Sequence, residues 1–455
     1  MLPAMTIDDS GESLYARYVN PQWVRLLDAL QMNVSYTRCS GAELHTADGR
    51  VILDFNSAYC VHNIGHNHPR IIAALKDELD KAGPAMLQSH VAALAGKLGA
   101  RLCSLAGGRL AKVFFGSSGS EGIEAAIKFA RAHTGRSGIL CASGGFHGLT
   151  CGALSLMTND LWRKGFGRLL PDTEFIPYGD TKELEQKLAS KSFAAFIVEP
   201  IQSEGGVLVP SMEYLSNVQA ICRKHKTLFV LDEVQTGLYR TGPFLAAHQF
   251  GVEPDMVVLA KALSGGLVPC SAVLMSDAIC DSVYSSVQRS LVHTSTFSEN
   301  SLAMRAGLAT LDILEDERLG MRTTVSGERL RRVLAERLEK YEMVGEVRGL
   351  GLLNAIEFKA PTSFKLRMAF KAFTQINPAL FGQILVMRMF QDHGILSQVC
   401  GNDFMVLKVS PPLVVDDAQL DRFVSAVEQA VDSIHTSSSF WTEALSIAHR
   451  LFRSL

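Results

Sequence analysis

Three ionisable residues, Glu199, Asp232 and Lys261, each follow a short apolar run in the middle of the chain. The runs are rich in Phe, Val, Ile and Leu, which predicts strands that are buried on both faces. Ligands of open parallel sheets bind beyond the carboxyl ends of the strands, so we expect these three side chains to share a site. A lysine among apolar neighbours can have its pKa lowered enough to form a Schiff base with a carbonyl. An acid and a lysine at strand ends are also common in α/β proteins without such chemistry.

Other segments supply features that a flat phosphorylated cofactor would need. A carboxylate such as Asp232 can keep a pyridine nitrogen protonated, as the electron sink of pyridoxal phosphate (PLP) requires. The strand KVFF runs into GSSGSEGIEAAIKFARAHTG, and the helix N-terminus there predicts an anion site at Gly119 and Ser120, or simply a capped helix. Phe146 follows two glycines and could stack on a flat ligand or belong to the core. Thr296 could donate to a phosphate or cap a helix.

The bulk composition is that of an ordinary globular protein. The chain has 455 residues, of which 47% are hydrophobic, and a formal net charge of -2, so no bulk field suggests nucleic acid as a partner. The first residues contain acids and no apolar stretch of a secretory signal, and no apolar run is long enough to span a membrane. The nine cysteines are scattered without a CxxC pair, which indicates reduced thiols. We therefore predict a cytoplasmic protein.

One cluster of histidines raises the question of a metal. His62, His66 and His68 lie close together in the segment YCVHNIGHNHP. No acid or cysteine of this segment completes a ligand set, and Pro69 interrupts the local geometry. A structural role in a loop is therefore favoured over a metal site.

The order of strand and helix patterns predicts four parts. We expect an N-terminal segment over residues 1–65, a large domain over 66–320, a smaller α+β domain over 321–435, and a linker with an amphipathic helix over 436–455. The last helix would place Trp441, Leu445 and Leu451 on one face, with Arg450 and Arg453 beside it. That face could pack on the domain, or could contact a membrane surface peripherally.

Eight motifs occur in the order typical of one enzyme family. They are GSSGSEGIEAAIKFAR, FHGLT, EPIQSEGG, LDEVQTGLYRTG, AKALSGG, HTSTFSENSLA, RGLGLL and SPPL. Over residues 20–432 the chain resembles the class III PLP-dependent aminotransferases, particularly their ornithine, acetylornithine and putrescine branch. The resemblance implies an α/β protein of PLP transferase fold type I, with a mostly parallel seven-stranded sheet, a small α+β domain, and a homodimer whose active sites are shared.

The resemblance also implies roles for individual residues. Lys261 would form the Schiff base and shuttle the proton in a ping-pong reaction, and Asp232 would contact the pyridine nitrogen. Phe146 and Val234 would cover the two faces of the ring, and Gln235 would contact its hydroxyl. The residues expected at the cofactor phosphate are Ser118, Gly119, Ser120 and, from the other subunit, Thr296. His147 and Glu199 are assigned to the same cofactor site.

Two positions depart from the pattern of the amino-acid users. In the ornithine branch the FHG motif continues with an Arg that grips a substrate carboxylate, and here Leu149 stands there. The Arg that usually lies three residues before the paired prolines is replaced by Lys408. An ammonium cannot hold a carboxylate bidentately, and losing such a clamp costs on the order of 1.5–3 kcal/mol. We expect Glu204 to pair with Lys408, and Tyr59 to contact the substrate.

These departures predict that at least one substrate is not a standard ω-amino acid. The stretches VNPQWVRLLDAL, YCVHNIGHNHP and FWTEAL resemble aminotransferases associated with hopanoid biosynthesis, which implies a hopanoid side-chain aldehyde as acceptor. Ornithine, acetylornithine or putrescine with 2-oxoglutarate is the alternative, and a racemase or mutase on the same fold is a second one. A dehydrogenase would need a nucleotide-binding fingerprint, which we do not find.

Overall fold

The computed structural model describes residues 11–87, 89–374, 380–437 and 440–442. Seventeen α-helical segments are present in this part of the chain: α1 (Gly11–Tyr18), α2 (Pro21–Ala29), α3 (Ser57–Cys60), α4 (Pro69–Asp80), α5 (Ala93–Ala106), α6 (Gly119–Thr134), α7 (Cys151–Ser155), α8 (Asp160–Arg163), α9 (Thr181–Leu188), α10 (Tyr214–His225), α11 (Ala246–Gln249), α12 (Asp277–Val283), α13 (Ser301–Asp316), α14 (Leu319–Leu338), α15 (Phe364–Thr374), α16 (Leu380–His393) and α17 (Asp417–Thr436).

Fifteen strands occur within the same described residues. They are β1 (Tyr36–Ser40), β2 (Glu43–Thr46), β3 (Val51–Asp54), β4 (Lys112–Gly116), β5 (Gly138–Ala142), β6 (Thr173–Ile176), β7 (Phe193–Val198), β8 (Leu228–Asp232), β9 (Met256–Leu259), β10 (Ser271–Met275), β11 (Val344–Leu350), β12 (Leu353–Phe358), β13 (Ile395–Leu396), β14 (Gln398–Val399) and β15 (Val406–Val409).

The central sheet has seven strands in the order β4-β10-β9-β8-β7-β5-β6. The strands from β9 to β6 are parallel, and β10 runs antiparallel to both of its neighbours. Every residue of β7, β8 and β9 is buried, as their continuous apolar sequences predict. The predicted α/β fold with a mostly parallel seven-stranded sheet is thereby confirmed.

Two smaller sheets flank the central one. Strands β1, β2 and β3 form an antiparallel sheet that β13 extends in parallel to β3. Strands β11, β12, β15 and β14 form a fully antiparallel sheet, and α14 and α17 pack together beside it. The pairing of β3 with β13 joins the first part of the chain to the last third. The four proposed domain boundaries stay a prediction.

The C-terminal helix of the sequence prediction falls mostly outside the described residues. Helix α17 ends at Thr436, and Phe440 and Trp441 are buried against the C-terminal core. The Trp441 indole N–H donates a hydrogen bond to the carbonyl of Ile434 at 3.1 Å. Within the described part of the chain, no helix has the length and hydropathy needed to cross a bilayer.

Candidate active site

The three residues predicted to share a site are brought together at one sheet edge. Glu199 follows β7, Asp232 ends β8, and Lys261 comes two residues after β9. Because β9, β8 and β7 are adjacent and parallel, their carboxyl ends place these side chains side by side. All three line one cavity of about 120 Å³, whose other lining residues are Gly119, Ser120, Phe146, His147, Gly148, Val234 and Gln235.

Lys261 begins a tight 3-10 turn, Lys261–Ser264, directly after the buried strand β9. Its own φ is +48°, a left-handed conformation that is unusual for a residue with a side chain. Such strain at a single residue is typical of functional sites. Burial lowers the pKa of Lys261 below its usual value, against smaller opposing effects from Cys60 and Glu204. The amine is therefore easier to hold in its neutral, nucleophilic form than a lysine in water.

Asp232 is a buried carboxylate with two fixed oxygens. Its Oδ2 lies 2.8 Å from Nδ1 of His147, and its Oδ1 accepts a hydrogen bond from the backbone N–H of Val234 at 3.1 Å. Burial alone would lower the pKa of His147, but the hydrogen bond and charge of Asp232 outweigh it and raise that pKa. His147 thus holds the Asp232 carboxylate in place.

Glu199 holds the loop that carries Phe146. Its Oε1 accepts from the backbone N–H of Phe146 at 2.9 Å, and its Oε2 accepts from the backbone N–H of Ser203 at 3.2 Å. Burial raises the pKa of Glu199 to about 7. The residue therefore lines the cavity and also fixes the aromatic ring beside it.

The N-terminus of the 16-residue helix α6 closes one end of the cavity. Gly119 and Ser120 line it, whereas the hydroxyl of Ser118 caps the helix by accepting from the N–H of Glu121 at 3.2 Å. Gly148 approaches so closely that a Cβ there would lie 2.2 Å from Ser120 Oγ, and its φ is +119°. Backbone N–H groups at such a helix end favour an anion such as a phosphate.

The residues of this cavity fit a phosphorylated pyridine. Gln235 is buried, and its Oε1 has no hydrogen-bond partner among the described residues, so an acceptor is left for a ligand hydroxyl. Phe146 and Val234 supply apolar surface for a ring, and Asp232 supplies a carboxylate for a ring nitrogen. Lys261 supplies the amine that a carbonyl group of the ligand would need. Together these groups match PLP in charge, hydrogen bonding and polarity.

A second, larger cavity of about 440 Å³ adjoins the first through Phe146, Gln235 and Lys261. Its wall is mostly apolar. The remaining lining residues are Ala58, Tyr59, Leu149, Leu161, Trp162, Glu204, Gln383, Gln398, Val399, Cys400, Gly401 and Phe404. Because Lys261 lines both cavities, a molecule in the larger one would reach its amine, so the space is suited to a substrate.

The ion pair expected between Glu204 and Lys408 is present and buried. Burial would lower the pKa of Lys408, but the charge of Glu204 raises it overall, and Lys408 correspondingly offsets burial and lowers the pKa of Glu204. Glu204 also accepts from the side chain of Gln235 at 3.2 Å and from the N–H of Gly401 at 2.8 Å. Both charges are therefore satisfied within the protein.

Tyr59 lines the larger cavity from a strained turn, α3. All four residues of this turn, Ser57–Cys60, have φ between 42° and 70°, so it is left-handed rather than helical in the usual sense. The carboxylate of Asp54 stabilises it by accepting from the N–H groups of Asn56 at 2.9 Å and Ser57 at 2.7 Å.

The same turn is tied to distant parts of the chain. The hydroxyl of Ser57 donates to the carbonyl of Ser410 at 2.7 Å. The buried guanidinium of Arg240 donates to the Ser57 hydroxyl, to Oδ1 of Asn63 and to the carbonyl of Pro411. Three separate segments thus meet beneath Tyr59.

The histidine cluster lies outside both cavities. His66 Nε2 is 2.7 Å from Asp54 Oδ2, and the His62 ring stacks on His66 with centroids 3.9 Å apart. His68 caps α4 and its Nε2 lies 3.1 Å from Glu317. Each histidine has a structural contact, and among the described residues no group of three His, Cys, Asp or Glu is placed to hold a metal ion.

The family model described as aminotransferase class-III matches residues 27–431 of the chain. The chain belongs to the class III aminotransferases. Enzymes of this family depend on PLP and have fold type I, which agrees with the sheet and with the chemistry of the smaller cavity. The resemblance inferred from the eight motifs is confirmed.

Curated relatives include two named aminotransferases. Aminotransferase PigE of Serratia sp. (strain ATCC 39006) is 36% identical over 454 aligned positions, which cover 93% of this chain and 53% of PigE. The chain thus spans about half the length of that relative. Putrescine aminotransferase of Pectobacterium atrosepticum is 32% identical, and the alignment covers 93% of this chain and 88% of that protein.

Solved structures give the same picture. Ornithine aminotransferase from Toxoplasma gondii superposes with a TM-score of 0.78 at 30% identity, over 88% of this chain and 90% of that one. A PLP-bound amine transaminase from an uncultivated Pseudomonas species gives a TM-score of 0.77 at 30% identity, over 88% and 95% of the two chains.

Sequence reasoning did not find all residues of this class III site. Trp162 lines the substrate cavity, and Asn402, next to the lining residue Gly401, accepts a hydrogen bond from it although the two lie 240 positions apart. The single sequence signal was the rarity of tryptophan, with three in the whole chain, in a polar segment shortly after FHGLT. Asn402 carries no recognisable motif. Thr296, which is expected to reach the phosphate from the other subunit, is exposed on the surface of this chain, and its role stays a prediction.

Proposed function

We propose that the protein is a PLP-dependent aminotransferase that moves an amino group, in a ping-pong reaction, from glutamate or another amino acid to a carbonyl substrate. The observation that carries this proposal is the position of Lys261. Its amine, whose pKa is lowered by burial, shares one small cavity with Asp232 and with the apolar surfaces of Phe146 and Val234. Membership of the class III aminotransferases supports the same conclusion.

The proposal assigns a role to the polar groups that face the smaller cavity. When bound, PLP supplies an electron sink for the substrate carbon. Lys261 in its neutral form would take a proton from that carbon and return it elsewhere, and Asp232, held by His147, would keep the ring nitrogen protonated. Gln235 Oε1 would accept from the ring hydroxyl, and the N-terminus of α6 would bind the phosphate through Gly119 and Ser120.

The proposed enzyme is a homodimer with shared sites. Thr296 is exposed, and it does not belong to the described residues that line the cofactor cavity of its own chain. Large apolar side chains are exposed around it, including Leu291 and Phe297 at 78% and 63%. Burial of these side chains against a second copy would bring Thr296 to the phosphate of the partner's site.

The proposed acceptor is the side-chain aldehyde of a hopanoid, a lipid with a rigid apolar body. The substrate cavity is mostly apolar, and its rim carries Leu149 and Leu161, which are 54% and 62% exposed. Apolar side chains at the mouth would contact a body that extends beyond the cavity. The resemblance to hopanoid-associated aminotransferases supports the same acceptor.

Two alternatives keep the same cofactor chemistry. Ornithine, acetylornithine or putrescine with 2-oxoglutarate is favoured by the names of the putrescine and ornithine aminotransferases to which the chain is similar. A racemase or mutase would use Lys261 and Asp232 in the same way, but would not transfer an amino group to an oxoacid.

A half-reaction tests the proposal. The purified chain is loaded with PLP, its absorbance spectrum is recorded, and glutamate, ornithine, putrescine and an aminated hopanoid are added separately. We expect glutamate or the aminated hopanoid to convert the cofactor to its amine form, and an oxoacid or aldehyde to reverse the change. Lys261→Ala is the control, and it should show neither the wild-type spectrum nor the conversion.

The possible outcomes separate the alternatives. Conversion by putrescine or ornithine, reversed by 2-oxoglutarate, would replace the hopanoid acceptor with the diamine or ornithine alternative. Racemisation of a donor without formation of the amine form would indicate the racemase alternative. A wild-type spectrum identical to that of Lys261→Ala would refute the assignment of the cofactor lysine.

A further inference from the structure

Trp162 forms the wall of the substrate cavity that faces the cofactor cavity. Its ring meets that of Phe146 edge to face, with centroids 5.5 Å apart and an angle of 82° between the planes. Phe146 lines both cavities, whereas Trp162 lines the larger one. A substrate that fills this cavity and reaches Lys261 with its reacting carbon therefore contacts this indole.

Asn402 fixes the position of Trp162. Its Oδ1 accepts from the indole N–H of Trp162 and from the side-chain amide of Asn159, each at 2.9 Å. Its own amide nitrogen donates to the carbonyl of Gly144 at 2.9 Å. The amide oxygen of Asn402 accepts two hydrogen bonds, and its nitrogen faces carbonyl oxygens. Rotating the amide by 180° would place its N–H groups against the two donors and its oxygen against the carbonyls, so this orientation is fixed. The indole is consequently held in one orientation.

The same corner is joined to the buried ion pair. The backbone N–H of Asn402 donates to the carbonyl of Glu204 at 2.9 Å, and the neighbouring Gly401 donates to Glu204 Oε2 at 2.8 Å. A Cβ at Gly401 would lie 3.3 Å from the ring of Trp162 and 3.1 Å from Glu204 Oε2. A glycine thus allows the indole and the carboxylate to approach the same backbone from two sides.

The charges of the cavity disfavour a carboxylate at the far end of an extended substrate body. Lys261 is the one cation among the described residues that line it, and the proposed reaction uses that amine. Lys408 is fully buried and its charge is already paired with Glu204. A carboxylate at the far end of such a body would lose its hydration, would find no second cation among the described lining residues and would share the lining with the Glu204 carboxylate, which is unfavourable.

We propose that Trp162, held by Asn402, is the specificity-determining wall of the substrate cavity and selects, as the partner substrate of the amino-acid donor, amines and aldehydes with an extended apolar body that carries no carboxylate at its far end. This inference rests on the proposed aminotransferase function. Apolar groups gain contact with the indole surface and with Val399 and Phe404, and each added methylene within such a cavity is worth about ten-fold in reactivity. Asn402 acts as a positioning residue for Trp162.

The test uses the PLP-loaded full chain and a series of unbranched primary amines from butylamine to decylamine. Each amine is compared with the ω-amino acid of matching length, and the rate constant of cofactor conversion per molar amine is measured in single turnovers. We expect the rate constant to rise with chain length, and each ω-amino acid to react at least about ten-fold more slowly. Equal reactivity of amines and ω-amino acids would overturn the proposal.

The variants assign the selectivity to Trp162. In Trp162→Ala the increase of the rate constant with chain length should be about ten-fold smaller than in wild type, and Trp162→Phe should keep part of that increase. Asn402→Ala should change the dependence in the same direction as Trp162→Ala, and Trp23→Ala, the same substitution at an exposed position of α2, should leave it unchanged. If the rate constant of Trp162→Ala depends on chain length as that of wild type does, Trp162 does not determine the specificity. The same result for Asn402→Ala would refute its role in positioning Trp162.

A binding measurement separates this inference from the proposed function. Unbranched alcohols of the same lengths cannot react, and their dissociation constants are measured by calorimetry with wild type and Trp162→Ala. Tighter binding of longer alcohols to wild type, lost in Trp162→Ala, would support the wall even if no amine converted the cofactor. Lack of conversion alone would refute the aminotransferase, and lack of any length dependence in binding would refute the wall.

Discussion

Lys408 and Tyr59 are in direct contact: the Lys408 Nζ lies 4.7 Å from the centre of the Tyr59 ring. Lys408 comes from β15 and Tyr59 from the left-handed turn near the start of the chain. The same ammonium pairs with Glu204. The Lys408 ammonium therefore lies between the Tyr59 ring and the Glu204 carboxylate beside the substrate cavity. Its contact with the ring is a favourable cation–π interaction.

Removing the cation should be costly. Lys408→Met leaves the Glu204 charge buried without its partner, so we expect the free energy of unfolding at pH 8 to fall by about 3–5 kcal/mol. The double variant Glu204→Gln, Lys408→Met should recover most of this loss, because it removes both charges. Guanidinium unfolding followed by circular dichroism measures each value. A loss below about 1 kcal/mol in Lys408→Met would show that the pair does not stabilise the fold.

A cation added to the apolar rim should allow the cavity to bind a substrate carboxylate. Leu149 stands where the ornithine branch has its carboxylate-binding arginine, and it lines the mouth of the substrate cavity. Leu149→Arg is expected to raise kcat/KM for ω-amino acids relative to unbranched amines by about ten-fold or more, since a charge-assisted pair contributes on the order of 1.5–3 kcal/mol. Steady-state kinetics with 2-oxoglutarate provide the ratio.

A matched variant distinguishes position from charge in this experiment. Leu161→Arg adds the same cation at another exposed residue of the rim. If it changes the ratio as much as Leu149→Arg, the gain reflects general attraction of anions rather than a clamp at position 149.

Stability should depend on pH through Glu233. This buried carboxylate accepts from the N–H groups of Ala246 at 2.7 Å and Ala247 at 2.8 Å, yet burial raises its pKa from 4.5 to about 7. The folded chain keeps this proton up to about pH 7, whereas the unfolded chain releases it near pH 4.5. The free energy of unfolding therefore falls as pH rises through this window, by a total on the order of 3 kcal/mol from this group.

Substitution isolates that contribution. Glu233→Gln cannot ionise, so its unfolding free energy should fall less steeply than that of wild type between pH 5 and pH 7. Glu339→Gln, at the exposed C-terminal end of α14, should keep the wild-type slope. Urea titrations at half-unit steps of pH give the slopes, and identical slopes for wild type and Glu233→Gln would contradict the prediction.

Local sequence was sufficient to predict the sheet and the position of its polar strand ends. The runs before Glu199, Asp232 and Lys261 are apolar over the whole strand, and only a strand buried on both faces is stable with that pattern. The cofactor cavity then depends on the order of neighbouring strands, which the structure shows and which was not predicted from the sequence.

The corner around Trp162 could not be predicted in this manner. The indole meets Asn402 because the loop between β14 and β15 packs against the segment around α8, and no periodicity of the chain encodes a contact across 240 positions. The left-handed turn at Ser57–Cys60 was missed for a different reason. Four residues with side chains disfavour positive φ, and tertiary contacts from Asp54 and Arg240 override this local preference.

The tethering of that turn has a consequence for biosynthesis. Ser57 is made long before Ser410, whose carbonyl accepts a hydrogen bond from its hydroxyl. The guanidinium of Arg240 donates both to the Ser57 hydroxyl and to the carbonyl of Pro411. Before residues 410 and 411 have been made, Asp54 and Arg240 can bind the strained turn but the two late carbonyls cannot, so we expect the turn to form fully only after residue 411 has left the ribosome. A chain that ends before residue 410 would lack both contacts, so we expect its substrate cavity to be incompletely formed.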